Sequence, residues 1–146
     1  MGMSVVSIRK RVDTTKYKEG ICRIGFFEDS KYEGGKPVAF VAMCNEYGLG
    51  VPMRPFMRPA LHENRSKIIA ELRSQYRQAL KNNKNTMLVL EIMGEKVKGL
   101  VQEQIAIKVE PANAPSTIKR KGFNKPLIET GIMFASVRHQ EEEVRK

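Results

Sequence analysis

Apolar and polar positions change period several times along the chain, and each change marks an element. Val5 to Val12 sets Val6, Ile8 and Val12 against Ser7, Arg9 and Arg11, the alternation of a half-buried strand. Gly20 to Asp29 is rich in β-formers and predicts a second strand, which the polar loop from Ser30 to Lys36, with Gly34 and Gly35, breaks. Pro37 suits the first turn of a helix, where its missing N–H would be unpaired anyway, and Gly48 suits the left-handed position that ends one. The helix predicted between them, Val38 to Tyr47, is apolar nearly all round: Val38, Phe40, Val41, Ala42, Met43 and Cys44. It is therefore expected to be buried in the core or against a partner subunit, two alternatives that the sequence leaves open.

Leu49 to Pro59 carries Pro52, Pro55 and Pro59, which favour an extended, rigid connection. Pro59 can open the next helix. From Ala60 to about Lys81, Leu61, Ile68, Ile69, Leu72, Tyr76 and Leu80 recur at three-to-four spacing while Arg65, Lys67, Arg73 and Arg77 face elsewhere, the pattern of an amphipathic helix. At about 1.5 Å per residue it would be about 30 Å long. Asn82 to Asn85 ends it, and Asn85 or Thr86 can cap a further helix running to about Ile105, with Leu90, Met93, Val97, Leu100, Val101 and Gln104 on one side. Gly94 and Gly99 each cost about 1 kcal/mol relative to Ala inside a helix, so they are expected where another element approaches closely or where the helix bends.

Glu110 to Pro115 reads as a turn, and Pro115 to Pro126 as a basic loop or single helical turn ending at Gly122. Ile132 to Gln140 alternates Met133, Ala135 and Val137 with Phe134, Ser136 and Arg138, which predicts a terminal strand, and 141–146 is expected to be a flexible polar tail. The sum is a single α+β domain over 1–146. In it a small, mostly antiparallel sheet carries two long helices and one short helix, and the ends of the chain meet in that sheet.

Composition narrows the class. At 146 residues, 41% hydrophobic and 29% charged, the chain sits near globular averages, which argues against a disordered chain or a coiled coil. The longest apolar run, Pro37 to Cys44, falls well short of the roughly 18 residues of a membrane span, and the opening MGMSVVSIRKRV lacks the apolar stretch of a signal peptide. Two cysteines make no disulfide framework, so a soluble protein of reducing cytosol with free thiols, and no membrane contact, is expected.

Net charge is +10. Residues 51–86 hold eight basic and two acidic side chains, and residues 111–131 hold four basic and one acidic, so these two segments carry +6 and +3 of it. Such a field attracts polyanions non-specifically. A basic nucleic-acid-binding protein is the alternative that this charge supports, although the chain has no Trp, no zinc-finger spacing and no phosphate-binding glycine loop, and solvated helix faces explain most such runs.

Signals for catalysis are absent. His62 and His139 belong to no metal-binding spacing and Cys22 and Cys44 to no Cys-x-x-Cys pair, so no zinc site is expected and both histidines read as surface or half-buried residues. Glu28, Asp29 and Glu33 read as a solvated loop. No Gly-x-Ser-x-Gly elbow is present. The expectation is a protein that is no enzyme, with no catalytic, cofactor-binding or metal residues; a nuclease with scattered carboxylates ranks a distant third among the readings. Met53 and Met57 flank Arg54 and Phe56 in the proline-stiffened strip, a mixed apolar and cationic edge suited to another subunit.

Three stretches in order resemble the small tail-completion and head–tail joining (neck) proteins of tailed bacteriophages, the tail-component or virion-morphogenesis family. Val38-Ala-Phe-Val-Ala-Met-Cys-Asn-Glu-Tyr-Gly is similar to that family's helix ending in Asn-Glu-Phe/Tyr-Gly. Val51-Pro-Met-Arg-Pro-Phe-Met-Arg-Pro-Ala is similar to its Arg-Pro-Phe segment leading into a long helix. Pro111 to Gly122, followed by Lys125-Pro-Leu-Ile-Glu-Thr-Gly and a strand, forms the third. The resemblance spans residues 38 to 138 and implies an α+β fold, a homo-oligomeric ring and a virion protein at the neck or tail end. Such a protein would pass through the host bacterial cytoplasm during assembly, and other phage neck or tail proteins would be its partners. It implies no catalysis and no cofactor. Arg54-Pro-Phe56 would position the chain before the long helix, and Pro126-Leu-Ile and Thr130-Gly would pin the last strand; Arg54, Phe56, Arg58, Lys119, Arg120, Lys121 and Gly122 are the candidate contact residues, with the basic loop from Lys119 to Gly122 meeting acidic neighbouring subunits or, non-specifically, packaged DNA.

Overall fold

The computed structural model describes residues 17–107, 110–128 and 130–144; the strand predicted over Val5 to Val12 lies outside them. The two ends of the described chain meet in an antiparallel pair, β1 (Gly20–Gly25) with β2 (Arg138–Glu143). Gly20 stands opposite Glu143, Cys22 opposite Glu141 and Ile24 opposite His139. Between the strands run α1 (Val38–Tyr47), α2 (Met57–Lys81), α3 (Met87–Ala106), the short α4 (Pro115–Lys121) and the single turn α5 (Ile132–Ala135). This is the expected α+β arrangement, with α3 packed between the small sheet and α2.

Local signals fix several boundaries. Pro37 precedes α1, and Gly48, at φ 72°, ends it with its N–H on the Cys44 carbonyl. Asn85 Oδ1 accepts the Met87 N–H at 2.9 Å at the start of α3, while the Thr86 hydroxyl turns away and donates to the Lys18 carbonyl at 3.0 Å. The buried stripe of α3 includes Leu90, Met93, Val97 and Val101, as its periodicity predicts.

Several predicted boundaries move, and the strand expected over Gly20 to Asp29 ends at Gly25. The long helix begins at Met57, three residues before Ala60, because its first N–H groups find an acceptor outside the helix in the Glu46 carboxylate. The stretch from Ile132 is a helical turn and not yet a strand: Met133 and Val137, four residues apart, are both buried, whereas Ala135 between them is exposed. The strand starts at Arg138 and takes in 141–143, residues expected to form a tail; Glu141, Glu142 and Glu143 pair with Cys22, Ile21 and Gly20.

The main core gathers Val38, Ala42, Phe56, Ala60, Val101, Ile105, Leu127, Met133 and Val137 from five separate parts of the chain. Full burial of a side chain such as Phe56 or Ile105 is worth about 1.5–3 kcal/mol relative to exposure. Phe26 meets Phe56 edge to face with ring centroids 6.0 Å apart. A smaller cluster of Ala79, Val89 and Met93 joins α2 to α3.

Candidate interaction site

The segments Asn45-Glu46-Tyr47-Gly48 and Arg54-Pro55-Phe56 dock on each other. The Arg54 N–H donates to the Asn45 carbonyl at 2.7 Å, and the buried Glu46 carboxylate accepts the backbone N–H of Phe56 at 2.8 Å and those of Met57 and Arg58 at 3.0 Å. A helix start leaves its first four N–H groups without partners inside the helix. Here Glu46 takes three, the fourth residue, Pro59, has none to offer, and the Ala60 N–H closes the first turn on the Phe56 carbonyl at 3.2 Å. That accounting explains why α2 starts before Pro59 and not after it.

Arg58 completes the knot. Its Nε donates to Glu46 Oε1 at 2.9 Å, its Nη2 to the Glu46 carbonyl at 2.6 Å, and its guanidinium lies 4.8 Å over the Tyr47 ring. Burial alone would raise the Glu46 pKa, but the N–H groups of Phe56, Arg58 and Met57 together with the Arg58 side chain outweigh it and hold the carboxyl below its ordinary value. Arg54 reaches the other way, its Nε to the Pro111 carbonyl at 2.7 Å and its Nη2 to the Ala112 carbonyl at 3.2 Å, and so ties the segment before α4 to this corner.

These contacts redirect two of the residues predicted for a subunit edge. Phe56 is 1% exposed and Arg54 9%, so both are occupied inside their own chain. Their role is to position the chain before α2. What remains outside is Met53, the edge of Arg58 and the outer face of α1. The inner side of α1 is buried through Val38, Ala42 and Glu46, while Phe40 and Tyr47 are 48% and 57% exposed. The helix is thus half core and half open surface. Leu49, Val51 and Met53 of the connection and Leu61 on α2 are exposed as well, and Met53 and Leu61 line one hollow of the surface. A cavity of about 510 Å³ beside Met43, Tyr47, Arg58 and Leu61 indents this surface.

The basic segment forms α4, a longer helix than the single turn expected, and Gly122 ends it in the left-handed conformation at φ 79°. Lys119 and Arg120 are exposed, and Lys121 donates to the Lys125 carbonyl at 3.0 Å and lies 5.4 Å over the Phe123 ring. Cations in the last turn also offset the partial negative charge of the helix end. The segment stands apart from the Glu46 corner in sequence, linked to it through Arg54. Leu127 is in the core, and Thr130 Oγ1 accepts the Ile132 N–H at 3.4 Å ahead of α5.

Sequence reasoning missed a second cluster. Cys22, His139 and Glu141 meet between β1, β2 and α3, with Cys22 Sγ 3.4 Å and His139 Nδ1 2.6 Å from Glu141 Oε1. The other ring nitrogen of His139 is 2.9 Å from Glu95 on α3. Burial, with the adjoining Glu141 carboxylate, pushes the Cys22 thiol up to about 11, so it is protonated and donates to Glu141. The hydrogen bond to Glu141, with the one to Glu95, outweighs burial and raises the His139 pKa. His62 is exposed, and Asp29 of the acidic loop pairs with Arg138.

No family model, curated protein or solved structure matches the chain. No helix among the described residues is long and apolar enough to cross a membrane.

Proposed function

We propose that this is a structural virion protein of a tailed phage or prophage, assembling in a ring and acting in head–tail joining or tail completion through protein contacts and without catalysis. The observation that carries the assembly reading is the open apolar face of α1 and the connection after it. Single exposed apolar residues are ordinary, but a run of them on one stretch of chain, Phe40, Met43, Tyr47, Leu49, Val51 and Met53, marks a contact surface. The Glu46 corner beneath holds that stretch in one conformation, which lowers the entropy lost when a neighbour docks. The placement in a virion rests on the three ordered segments that resemble neck and tail proteins.

Light scattering and sedimentation of the full chain test this reading. The expected result is a closed oligomer, or a monomer that assembles on a neck or tail protein, with Met43→Glu and Leu61→Glu abolishing either association while leaving the fold intact. Virion genes beside its own gene would agree. A chain that stays monomeric, meets no virion partner and binds nucleic acid with an affinity that falls steeply with salt would instead support a basic nucleic-acid-binding protein. The exposed Arg65, Lys67, Arg73 and Arg77 of α2 favour that second reading.

A further inference from the structure

Register and pleat bring three different ligand types to one place. Cys22 stands opposite Glu141 across the sheet, and His139 lies two residues from Glu141 on the same strand, so all three share the face turned to α3. Their donor atoms, a sulfur, an imidazole nitrogen and a carboxylate oxygen, lie within 4.8 Å of one another. They converge over the bare Cα of Gly94. A Cβ built there would stand 2.7 Å from Cys22 Sγ, 2.8 Å from His139 Nδ1 and 2.9 Å from Glu141 Oε1. The missing side chain therefore lets three donors close in on the helix backbone, in the middle of an element where glycine is otherwise unfavourable.

We propose that Cys22, His139 and Glu141 form a three-ligand site for Zn²⁺, with water in the fourth position. Thiolate, imidazole and carboxylate are the ligands zinc accepts, whereas calcium and magnesium require oxygen shells. His139 already has the orientation a ligand needs, since with its Nε2–H directed to Glu95, Nδ1 is the nitrogen left to present a lone pair to the ion. The ion replaces the protons that now join Cys22 and His139 to Glu141. All three ligands sit on strands, which hold them more firmly than loops would. The consequence is structural. A two-stranded sheet is marginal by itself, and a metal bridging β1 to β2 adds its binding energy to the closure that joins the ends of the fold.

The test is titration of the reduced, full-length protein with Co²⁺, followed by its thiolate-to-cobalt charge-transfer absorption, and with Zn²⁺ against a chromophoric chelator. One ion per chain is expected, with a rise in melting temperature on adding Zn²⁺. Cys22→Ser, nearly isosteric, should remove the charge-transfer band, and His139→Gln should abolish stoichiometric uptake. Gly94→Ala should weaken it with every donor retained, and Cys44→Ser should change nothing. Glu95→Gln should weaken uptake about 10-fold, the lower end of what such outer-sphere partners contribute. Circular dichroism reports whether each variant is folded. Absence of stoichiometric uptake by the wild-type chain, or uptake that Cys22→Ser and His139→Gln both leave unchanged, overturns the proposal.

Discussion

The carboxylate of Glu46 accepts the backbone N–H of Phe56 at 2.8 Å, and with it those of the next two residues, so a side chain near the end of α1 caps a helix that no side chain of its own caps. The carboxylate also faces the positive end of the α2 dipole, where negative charge is favoured. Removing the carboxylate strands buried donors and breaks the pair with Arg58. Glu46→Ala should cost about 2–3 kcal/mol, the upper part of the range for leaving buried donors without their acceptor, since Arg58 is half exposed and loses little with the pair. Glu46→Gln, which keeps an acceptor and loses the charge, should cost less. Urea unfolding midpoints of the three proteins check the order.

The same carboxyl makes acid stability predictable. Its pKa in the folded chain is lowered, whereas in the unfolded chain it titrates near the usual value of about 4.3. The unfolded state therefore takes up this proton first as pH falls. The stabilisation is complete above about pH 5 and is lost progressively as pH drops through the folded pKa. Wild-type stability should fall more steeply than that of Glu46→Gln below about pH 4, and unfolding curves at a series of pH values, subtracted pairwise, isolate this one group.

What the sequence made legible follows from where each signal resides. The limits of α1 depend on Pro37 and Gly48, whose backbone preferences are their own, and the inner face of α3 depends on a period that Leu90, Met93, Val97 and Val101 repeat. Met133 and Val137 misled because a spacing of four satisfies strand alternation and a helical turn equally. Glu46 left no trace for a different reason: its partners are main-chain N–H groups ten to twelve residues on, and any residue type supplies those. Cys22 and Glu141 are 119 residues apart, and only the strand register joins them. Gly94 was the one local hint of that cluster, as a helix position where something must come close.

The two glycines of α3 should respond to alanine with opposite signs. At Gly94 a Cβ meets three polar atoms at under 3 Å, and the cluster has to open to admit it. The cost should be about 1–3 kcal/mol, as for overpacked cores. At Gly99 nothing stands within 4 Å of the Cβ position, and the helix gains propensity without a clash. Gly99→Ala should stabilise by up to about 1 kcal/mol. Thermal unfolding of both variants in the presence of a chelator, which keeps metal out of the comparison, gives the two signs directly.

Phe40 and Phe56 should separate folding from the proposed assembly. Phe56 is 1% exposed and touches Phe26 in the core, and Phe56→Ala should cost about 3–5 kcal/mol, because the cavity it leaves lies among residues from distant segments that cannot close in together. Phe40 is 48% exposed on the outer side of α1, where its ring lies under Lys36 at 5.6 Å. Phe40→Ala should change the unfolding free energy by no more than about 0.5 kcal/mol, the usual range for surface positions. Its effect should appear in association, since truncating one apolar contact of an interface weakens binding roughly tenfold for each 1.4 kcal/mol lost. Sedimentation across a concentration series, alongside denaturant unfolding of the same two variants, checks the division: a Phe40→Ala chain that unfolds like wild type and associates like wild type would remove α1 from the proposed interface.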